Sequence, residues 1–150
     1  MVLHVLNYWE KSVDYMIGAQ LEGFDTMVHL TNDNDFVLIE GDEYLSSPID
    51  LKPKFLWYKP HVTLISGIAW DHINVFPTEK NYIQQFQTFI NSIVPGGILV
   101  YNEVDPVLKE LVLTSENTIR KEGYHLPRYE IKKGAAFLKT DEGDLPLEVF

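Results

Sequence analysis

The chain has 150 residues, 45% apolar and 23% charged, which is the composition of one globular domain with a buried core. Its net charge of −10 argues against a surface for nucleic acid or an anionic membrane, because both need clustered Lys and Arg. The absence of cysteine excludes disulfides and Cys-type zinc sites and fits a cytoplasmic protein. No apolar run approaches the ~20 residues of a membrane span, and we expect no signal peptide.

The first half of the chain predicts one helix followed by strands. The helix spans residues 2–17, where apolar side chains recur on one face. A short strand is predicted at 25–30 and a continuously apolar strand at 36–39, of the kind that is covered on both faces. Residues 42–60 contain prolines at 48, 53 and 60 and are expected to be irregular. The apolar run at 62–65 predicts another buried strand.

The second half predicts two helices and several strands. Thr78 can cap a helix that runs to about residue 93, and an apolar strand follows at 98–101. Asp105 and Pro106 are suitable N-cap and N1 residues for a second, shorter helix. After residue 114 the pattern alternates as in strands, with a hairpin turn at 141–144.

These elements predict a single α/β domain. Residues 1–113 are interpreted as an α/β layer whose mostly parallel sheet is flanked by helices, and residues 118–150 as a small antiparallel sheet. Ligands of open α/β sheets bind beyond the carboxyl ends of the strands. Two such ends, those of the strands at 36–39 and 62–65, are followed by residues that can bind a metal ion.

The candidate metal ligands are Glu40, Asp42 and Glu43 after the first of these strands, and Asp71 and His72 after the second. A hard cation such as magnesium prefers oxygen ligands and usually takes one or two carboxylates plus phosphate oxygens and waters. Two alternatives stay open at this point. The three acids also fit a solvated loop, and a single histidine also fits a packed or surface residue.

Other catalytic signatures are missing from the sequence. It contains neither a glycine-rich phosphate-binding loop of the type G-x-x-x-x-G-K-[ST] nor a nucleophile elbow. The residues alone therefore predict a divalent-metal site at the end of a parallel sheet, without assigning its purpose. A metal-dependent hydrolase that uses Glu40, Asp71 and His72, or an acidic binding module without catalysis, are the alternative functions.

Three motifs in order resemble the central domain of the Mur ligases, the ATP-dependent amide-bond ligases of peptidoglycan synthesis. They are EGDEY at 40–44, KFLWYKP at 54–60 and DHINVFP at 71–77. Their spacing is most similar to that of the murein tripeptide ligases, which join a peptide to UDP-N-acetylmuramate in peptidoglycan recycling. The chain departs from the family pattern at Ser66, where members usually have asparagine, and at Ala69, where they often have an acid.

This resemblance implies a P-loop-NTPase-like domain in which Glu40 and His72 bind Mg²⁺ and Asp42, Glu43 and Asp71 are supporting acids. It also implies ATP as cosubstrate, UDP-N-acetylmuramate and a murein peptide as partners, and an acyl-phosphate intermediate. The family's P-loop would lie just before Met1, so we expect an incomplete central domain without ligase activity of its own. Apolar strand edges left by the missing strand would favour self-association.

Overall fold

A computed structural model describes residues 1–20 and 23–147 of the chain. It divides the chain into two compact units, Met1–Tyr58 and Lys59–Phe150. Each unit contains parallel strands together with helical segments. The α/β class and the presence of a separate antiparallel sheet, both predicted from the sequence, are thereby confirmed.

The first unit contains a short helix and a three-stranded sheet. Helix α1 spans Val2–Tyr8, and the strands are β1 at Asp14–Met16, β2 at Val28–His29 and β3 at Val37–Ile39. The strand order is β2-β1-β3, with β1 antiparallel to β2 and parallel to β3. A single-turn 3-10 helix at Lys54–Trp57 lies within the segment that the sequence predicts to be irregular.

The helix predicted for residues 2–17 is wrong beyond Tyr8. Glu10 has a left-handed backbone conformation, with φ of 54°, two residues past the end of the helix. Asp14–Met16 form β1 instead, where they pair with strands on both sides. The hydrogen bonds to β2 and β3 outweigh the helical spacing of the apolar residues, because intrinsic propensity is a weak prior that tertiary context overrides.

The second unit is built around a parallel sheet. Its elements in chain order are β4 at Val62–Ile65, α2 at Glu79–Ser92, β5 at Ile98–Asn102, α3 at Pro106–Thr114 and β6 at Arg120–Tyr124. The strand order is β4-β5-β6, and both pairs of neighbours are parallel. Parallel neighbours connected through a helix form the usual βαβ arrangement.

Both helices of this unit begin where the sequence predicts. The Oγ1 of Thr78 accepts the backbone N–H of Asn81 at 3.2 Å. The Oδ1 of Asp105 accepts the N–H of Leu108 at 3.0 Å. Each cap satisfies one of the N–H groups that a helix leaves unpaired at its start.

The buried core of the second unit lies against one face of the parallel sheet. Its side chains with 0% exposure come from α2, β5 and α3 and are Ile90, Leu99, Leu108 and Val112. Alternate residues of β4 point away from it, and Val62 and Leu64 are 66% and 55% exposed. The expectation of strands covered on both faces is therefore wrong for β4. It is also wrong for β3, in which Val37 is 50% exposed.

The antiparallel sheet consists of β7 at Tyr129–Lys132, β8 at Ala135–Thr140 and β9 at Gly143–Leu147. The hairpin turn predicted at 141–144 is confirmed, since Thr140 pairs with Gly143. The boundary predicted at residue 118 is wrong, because β6 pairs in parallel with β5. Its charged sequence is tolerated at the edge of a parallel sheet. Residue 149, predicted as part of the last strand, lies outside the described residues.

Within residues 1–20 and 23–147 no helix has both the length and the apolar character needed to cross a membrane.

Candidate functional site

The predicted site residues follow two strands that belong to different sheets. Glu40, Asp42 and Glu43 lie after β3 in the first unit, whereas Asp71 and His72 lie after β4 in the second. In the described residues β3 pairs with β1, and β4 pairs with β5. Each loop is described within its own unit.

Glu40 is an exposed carboxylate at the end of β3. Its Oε2 accepts the backbone N–H of Gly18, two residues past the end of β1, at 2.7 Å. This hydrogen bond joins the ends of two parallel strands and fixes the direction of the carboxylate. The second oxygen, Oε1, accepts no hydrogen bond from the described part of the chain, so it is available to a cation.

The acidic loop after β3 is tied to the 3-10 helix. The Oδ2 of Asp42 forms an ion pair with Nζ of Lys54 at 2.6 Å, and its Oδ1 accepts the N–H of Tyr44 at 2.8 Å. The hydrogen bond from Lys54 to Asp42 raises the pKa of the lysine. The carbonyl of Asp42 accepts the N–H of the buried Phe55 at 3.2 Å. Asp42 therefore fixes the loop in which the half-buried Glu43 lies.

His72 has an unusual backbone conformation. Its φ is 53°, in the left-handed region that non-glycine residues adopt in only a few per cent of cases. The Oδ1 of Asp71 accepts the N–H of His72 at 2.6 Å. The carbonyl of His72 accepts the N–H groups of Val75 and Phe76 at 2.7 and 2.9 Å. Strained backbone that several hydrogen bonds hold in place is concentrated at functional sites.

Phe76 fixes the His72 loop to the core of the second unit. Its side chain is 2% exposed, and its ring packs edge-on against Tyr82 of α2 with centroids 5.2 Å apart. Its carbonyl accepts the indole N–H of Trp70 at 3.0 Å, which closes the loop at its other end. The backbone of His72 is therefore anchored to α2 through Phe76.

Asp105 connects the segment after β4 with the start of α3. Besides capping the helix, its Oδ2 accepts the N–H of Ile68 at 2.6 Å. A Cβ on Gly67 would lie 3.2 Å from this oxygen, so the close approach favours glycine there. Asn102 forms a second hydrogen bond to the same segment, because its Nδ2 donates to the carbonyl of Ser66 at 3.1 Å. The cap was predicted from the sequence, but no local signal indicates the contact with Ile68, 37 residues away.

Asp14 is a buried acid that the sequence analysis placed in a helix. Its carboxylate accepts the N–H of Thr31 at 2.7 Å, the Oγ1–H of Thr31 at 2.9 Å and the Nδ2–H of Asn34 at 2.8 Å. The backbone N–H of Thr31, followed by the amide of Asn34, lowers the pKa of Asp14. Asp14 thus holds the loop that leads into β3.

The donor groups fit magnesium better than a structural or catalytic zinc ion. The part of the chain that the structure describes contains no group of three or more His, Cys, Asp or Glu side chains placed to hold a metal. A zinc site needs three or four such ligands. Magnesium keeps several waters and takes few protein ligands. An exposed carboxylate with one oxygen available, such as Glu40, suits this second chemistry.

A family model described as "Mur ligase middle domain" matches residues 20–145. The chain belongs to this family. The matched range includes Glu40 and His72 and extends over both units. The resemblance to the Mur ligases inferred from the motifs at 40–44, 54–60 and 71–77 is thereby confirmed.

Curated relatives carry Mur ligase names and are much longer than this chain. The UDP-N-acetylmuramate–L-alanyl-γ-D-glutamyl-meso-2,6-diaminoheptandioate ligase of Escherichia coli is 33% identical over 97 residues, covering 64% of this chain and 21% of that protein. The UDP-N-acetylmuramate–L-alanine ligase of Phocaeicola vulgatus is 24% identical over 140 residues, covering 91% of this chain and 29% of that protein. The chain thus spans less than a third of the length of these relatives.

Solved structures of Mur ligases share the fold. The UDP-N-acetylmuramate:L-alanyl-γ-D-glutamyl-meso-diaminopimelate ligase from Neisseria meningitidis matches with a TM-score of 0.74 at 21% identity, covering 93% of this chain and 47% of that chain. The MurF ligase from Thermotoga maritima, in complex with ADP, matches with a TM-score of 0.67 at 14% identity, covering 97% and 36%. At these identities the likeness concerns the fold.

Proposed function

We propose that the chain is part of an ATP- and magnesium-dependent amide-bond ligase that joins a murein peptide to UDP-N-acetylmuramate in peptidoglycan recycling. The observation that carries this proposal is the Mur ligase middle-domain match over residues 20–145. The fold shared with the Neisseria ligase supports it. Because UDP-linked precursors are cytoplasmic substrates, we also propose a cytoplasmic location.

A peptide is proposed as the amine substrate because of the tripeptide-type motifs and the E. coli relative. That relative is 33% identical over 97 residues of this chain. In the proposed reaction the carboxylate of UDP-N-acetylmuramate attacks the γ-phosphate of ATP, which releases ADP and leaves an acyl phosphate. The amine of the peptide then displaces phosphate and forms the amide bond.

Glu40 and His72 are the proposed magnesium ligands, and Asp42, Glu43 and Asp71 the supporting acids. Bound magnesium would neutralise negative charge on the ATP phosphates and the substrate carboxylate. Glu40 would present Oε1 while the N–H of Gly18 holds Oε2. The strained turn fixes His72, with Asp71 accepting its N–H. This assignment is supported by the family match and by the surroundings of each residue in its own unit.

We further propose that the 150 residues form one incomplete central domain without ligase activity of its own. The sequence has no glycine-rich loop to hold the ATP phosphates. The relatives are more than three times as long as this chain. Positioning of the phosphates provides most of the catalysis in phosphoryl transfer, so a chain without that loop is expected to be inactive.

Two measurements test this function. The gene sequence directly upstream of the Met1 codon is expected to encode a G-x-x-G-K-[ST] loop. A native translation start at Met1 would instead favour an acidic binding module without catalysis. Phosphate release from ATP in the presence of UDP-N-acetylmuramate and murein tripeptide is expected to be absent for the isolated chain. Turnover by the 150 residues would contradict the proposed inactivity while supporting the ligase assignment.

A further inference from the structure

A cavity of about 460 Å³ lies within the second unit, a volume in the range of small-molecule sites. It is bounded by the last two turns of α2, the end of α3 and the loop that leads into β6. Its lining residues are Gln87, Asn91, Thr114, Ser115, Glu116 and Asn117. The cavity therefore lies at the amino end of β6, whereas the loop with His72 follows the carboxyl end of the parallel strand β4.

The loop before β6 is tied to α2 by hydrogen bonds. Nδ2 of Asn117 donates to the carbonyls of Ile90 and Ile93 at 2.8 and 3.0 Å. The hydroxyl of Ser115, which is 8% exposed, donates to Oδ1 of Asn91 at 3.2 Å. These bonds fix two walls of the cavity relative to each other. A ligand therefore does not have to order the loop before it binds.

The hydrogen-bonding groups that remain in the cavity are mainly acceptors. Both N–H hydrogens of the Asn117 amide are donated to carbonyls, so its Oδ1 remains. The hydroxyl of Thr114 donates to the carbonyl of Glu110 at 2.8 Å, which leaves the lone pairs of its oxygen. Glu116 is an exposed carboxylate that forms no ion pair in the described part of the chain. These groups fit a ligand that donates several hydrogen bonds.

The electrostatics of the cavity favour a positively charged ligand. Helices α2 and α3 both end at it, and the carboxyl end of a helix carries partial negative charge. Glu116 adds a full negative charge, and none of the described lining residues is cationic. The ammonium of Lys121 already donates to the carbonyl of Ser115 at 2.7 Å, so this loop accepts an ammonium group. The single charge of Lys121 is small against the net charge of −10 of the chain, which attracts further cations.

We propose that this cavity binds a small hydrophilic primary amine. The ammonium group of the ligand pairs with the carboxylate of Glu116, and its hydroxyl or amide groups donate to the oxygens of Thr114 and Asn117. A hydrophobic ligand gains little here, because the described lining residues are all polar. The site is independent of the proposed ligase reaction. With one exposed carboxylate and few hydrogen bonds, binding is expected to be of millimolar order.

A chemical-shift titration with D-glucosamine tests the proposal. D-glucose is the matched ligand, in which a hydroxyl group replaces the ammonium group. The amine is protonated at about pH 6.5. Glucosamine up to about 100 mM, at constant ionic strength, is expected to shift the backbone amides of residues 87, 91 and 114–117 and to reach saturation. Glucose should leave these amides unchanged.

Glu116→Gln should weaken the binding of glucosamine about threefold, because it removes the charge and keeps the shape of the side chain. Glu79→Gln is the matched control, since it makes the same change at the first residue of α2, about 18 Å along the helix from Asn91. It should leave the affinity unchanged. A titration without saturable shifts at these amides overturns the proposal. Equal shifts with glucose, or equal weakening by the two variants, also overturn it.

Discussion

The second unit contains two three-stranded sheets that are stabilised in different ways. The parallel sheet β4-β5-β6 has α2 and α3 on one face, with Leu99 of its central strand completely buried. The antiparallel sheet β7-β8-β9 contributes no residue to that core, and no side chain in it is fully buried. Four charged side chains on one of its faces form a network instead: Glu130, Lys132, Lys139 and Asp144.

This difference shows where the protein is sensitive to sequence and to conditions. Apolar burial contributes roughly 25 cal/mol per Å² and depends little on pH or salt. Exposed ion pairs contribute little to stability, and they are weakened by salt and by a pH at which one of the two groups loses its charge. The loops that carry His72 and Asp105 follow strands of the helix-covered sheet. The candidate residues of this unit are therefore supported by the more robust of its two sheets.

The largest expected effect comes from truncating the core of the parallel sheet. Leu99→Ala should lower the free energy of unfolding by about 3 kcal/mol, because it removes buried methyl groups and leaves a cavity. The same truncation in the other sheet, Leu145→Ala, should cost about 0.5 kcal/mol, since this side chain is more than half exposed. Urea denaturation of both variants checks the comparison. Equal losses would show that the antiparallel sheet is stabilised by burial too.

Asp105→Ala should lower the free energy of unfolding by about 2 kcal/mol. It removes both the cap of α3 and the acceptor of the Ile68 N–H. Thr78→Ala is the matched control, because it removes only a helix cap and should cost about 1 kcal/mol. Hydrogen exchange of the Ile68 amide should accelerate in the first variant alone. Unchanged exchange at Ile68 would contradict the role given to Asp105 in holding the segment after β4.

Thr63→Val should raise the free energy of unfolding by about 1 kcal/mol. Thr63 of β4 is buried on the helix-covered face, and its Oγ1 has no hydrogen-bond partner among the described residues. Replacing a buried, unsatisfied hydroxyl by a methyl group of similar size removes its desolvation cost. Thr63→Ser, which keeps the hydroxyl and loses the methyl group, should be destabilising. A loss of stability in the valine variant would mean that the hydroxyl is hydrogen-bonded in solution.

The smallest effect is the pH dependence of the antiparallel sheet. Hydrogen bonds donated by Lys139 and Lys132 lower the pKa values of Glu130 and Asp144, and the same bonds, accepted by Asp144 and Glu130, raise the pKa of Lys139. The two acids contribute fully to the stability of the sheet at a pH above their ordinary pKa values of 4.5 and 3.8. This stabilisation is lost as the pH falls through their lowered pKa values. The contribution of Lys139 is complete below 10.5 and is lost as the pH rises through its raised pKa.

Amide exchange in β8 should therefore be independent of these charges between about pH 5 and 10, after correction for the intrinsic rate, and should accelerate on acidification below that range. In Asp144→Asn part of this acid-induced change should disappear, because one of the two acids no longer titrates. If Leu99 in β5 lost protection in parallel with β8, the two sheets would respond to acid as one unit, and the contrast between them would be wrong.

Much of the second unit could be predicted because its signals are local. Thr78 and Asp105 are helix caps whose partners lie three residues away, and the hairpin at 141–144 is a turn of adjacent residues. The metal-ligand candidates were identified because they directly follow two apolar runs, and the family match supports the resemblance that then assigned roles to Glu40 and His72.

The remaining features depend on contacts between distant residues. Asp14 lies in a strand, and its carboxylate accepts hydrogen bonds from Thr31 and Asn34. The helical spacing of the neighbouring apolar residues does not indicate these contacts. The contact between Asp105 and Ile68 joins residues 37 positions apart. The assignment of Arg120–Tyr124 to the parallel sheet depends on its pairing with β5, which its charged sequence does not indicate.

A titration with Mn²⁺, an oxygen-binding probe for magnesium sites, tests the central claim about Glu40 and His72 most directly. His72→Gly removes the imidazole, and glycine tolerates the left-handed backbone at this position, so the fold should be preserved. Glu40→Gln keeps an acceptor for the Gly18 N–H but removes the charge. Each should weaken Mn²⁺ binding at least tenfold, measured by water proton relaxation, while His125→Gly leaves it unchanged. Binding that is unaffected by both His72→Gly and Glu40→Gln would contradict the claim.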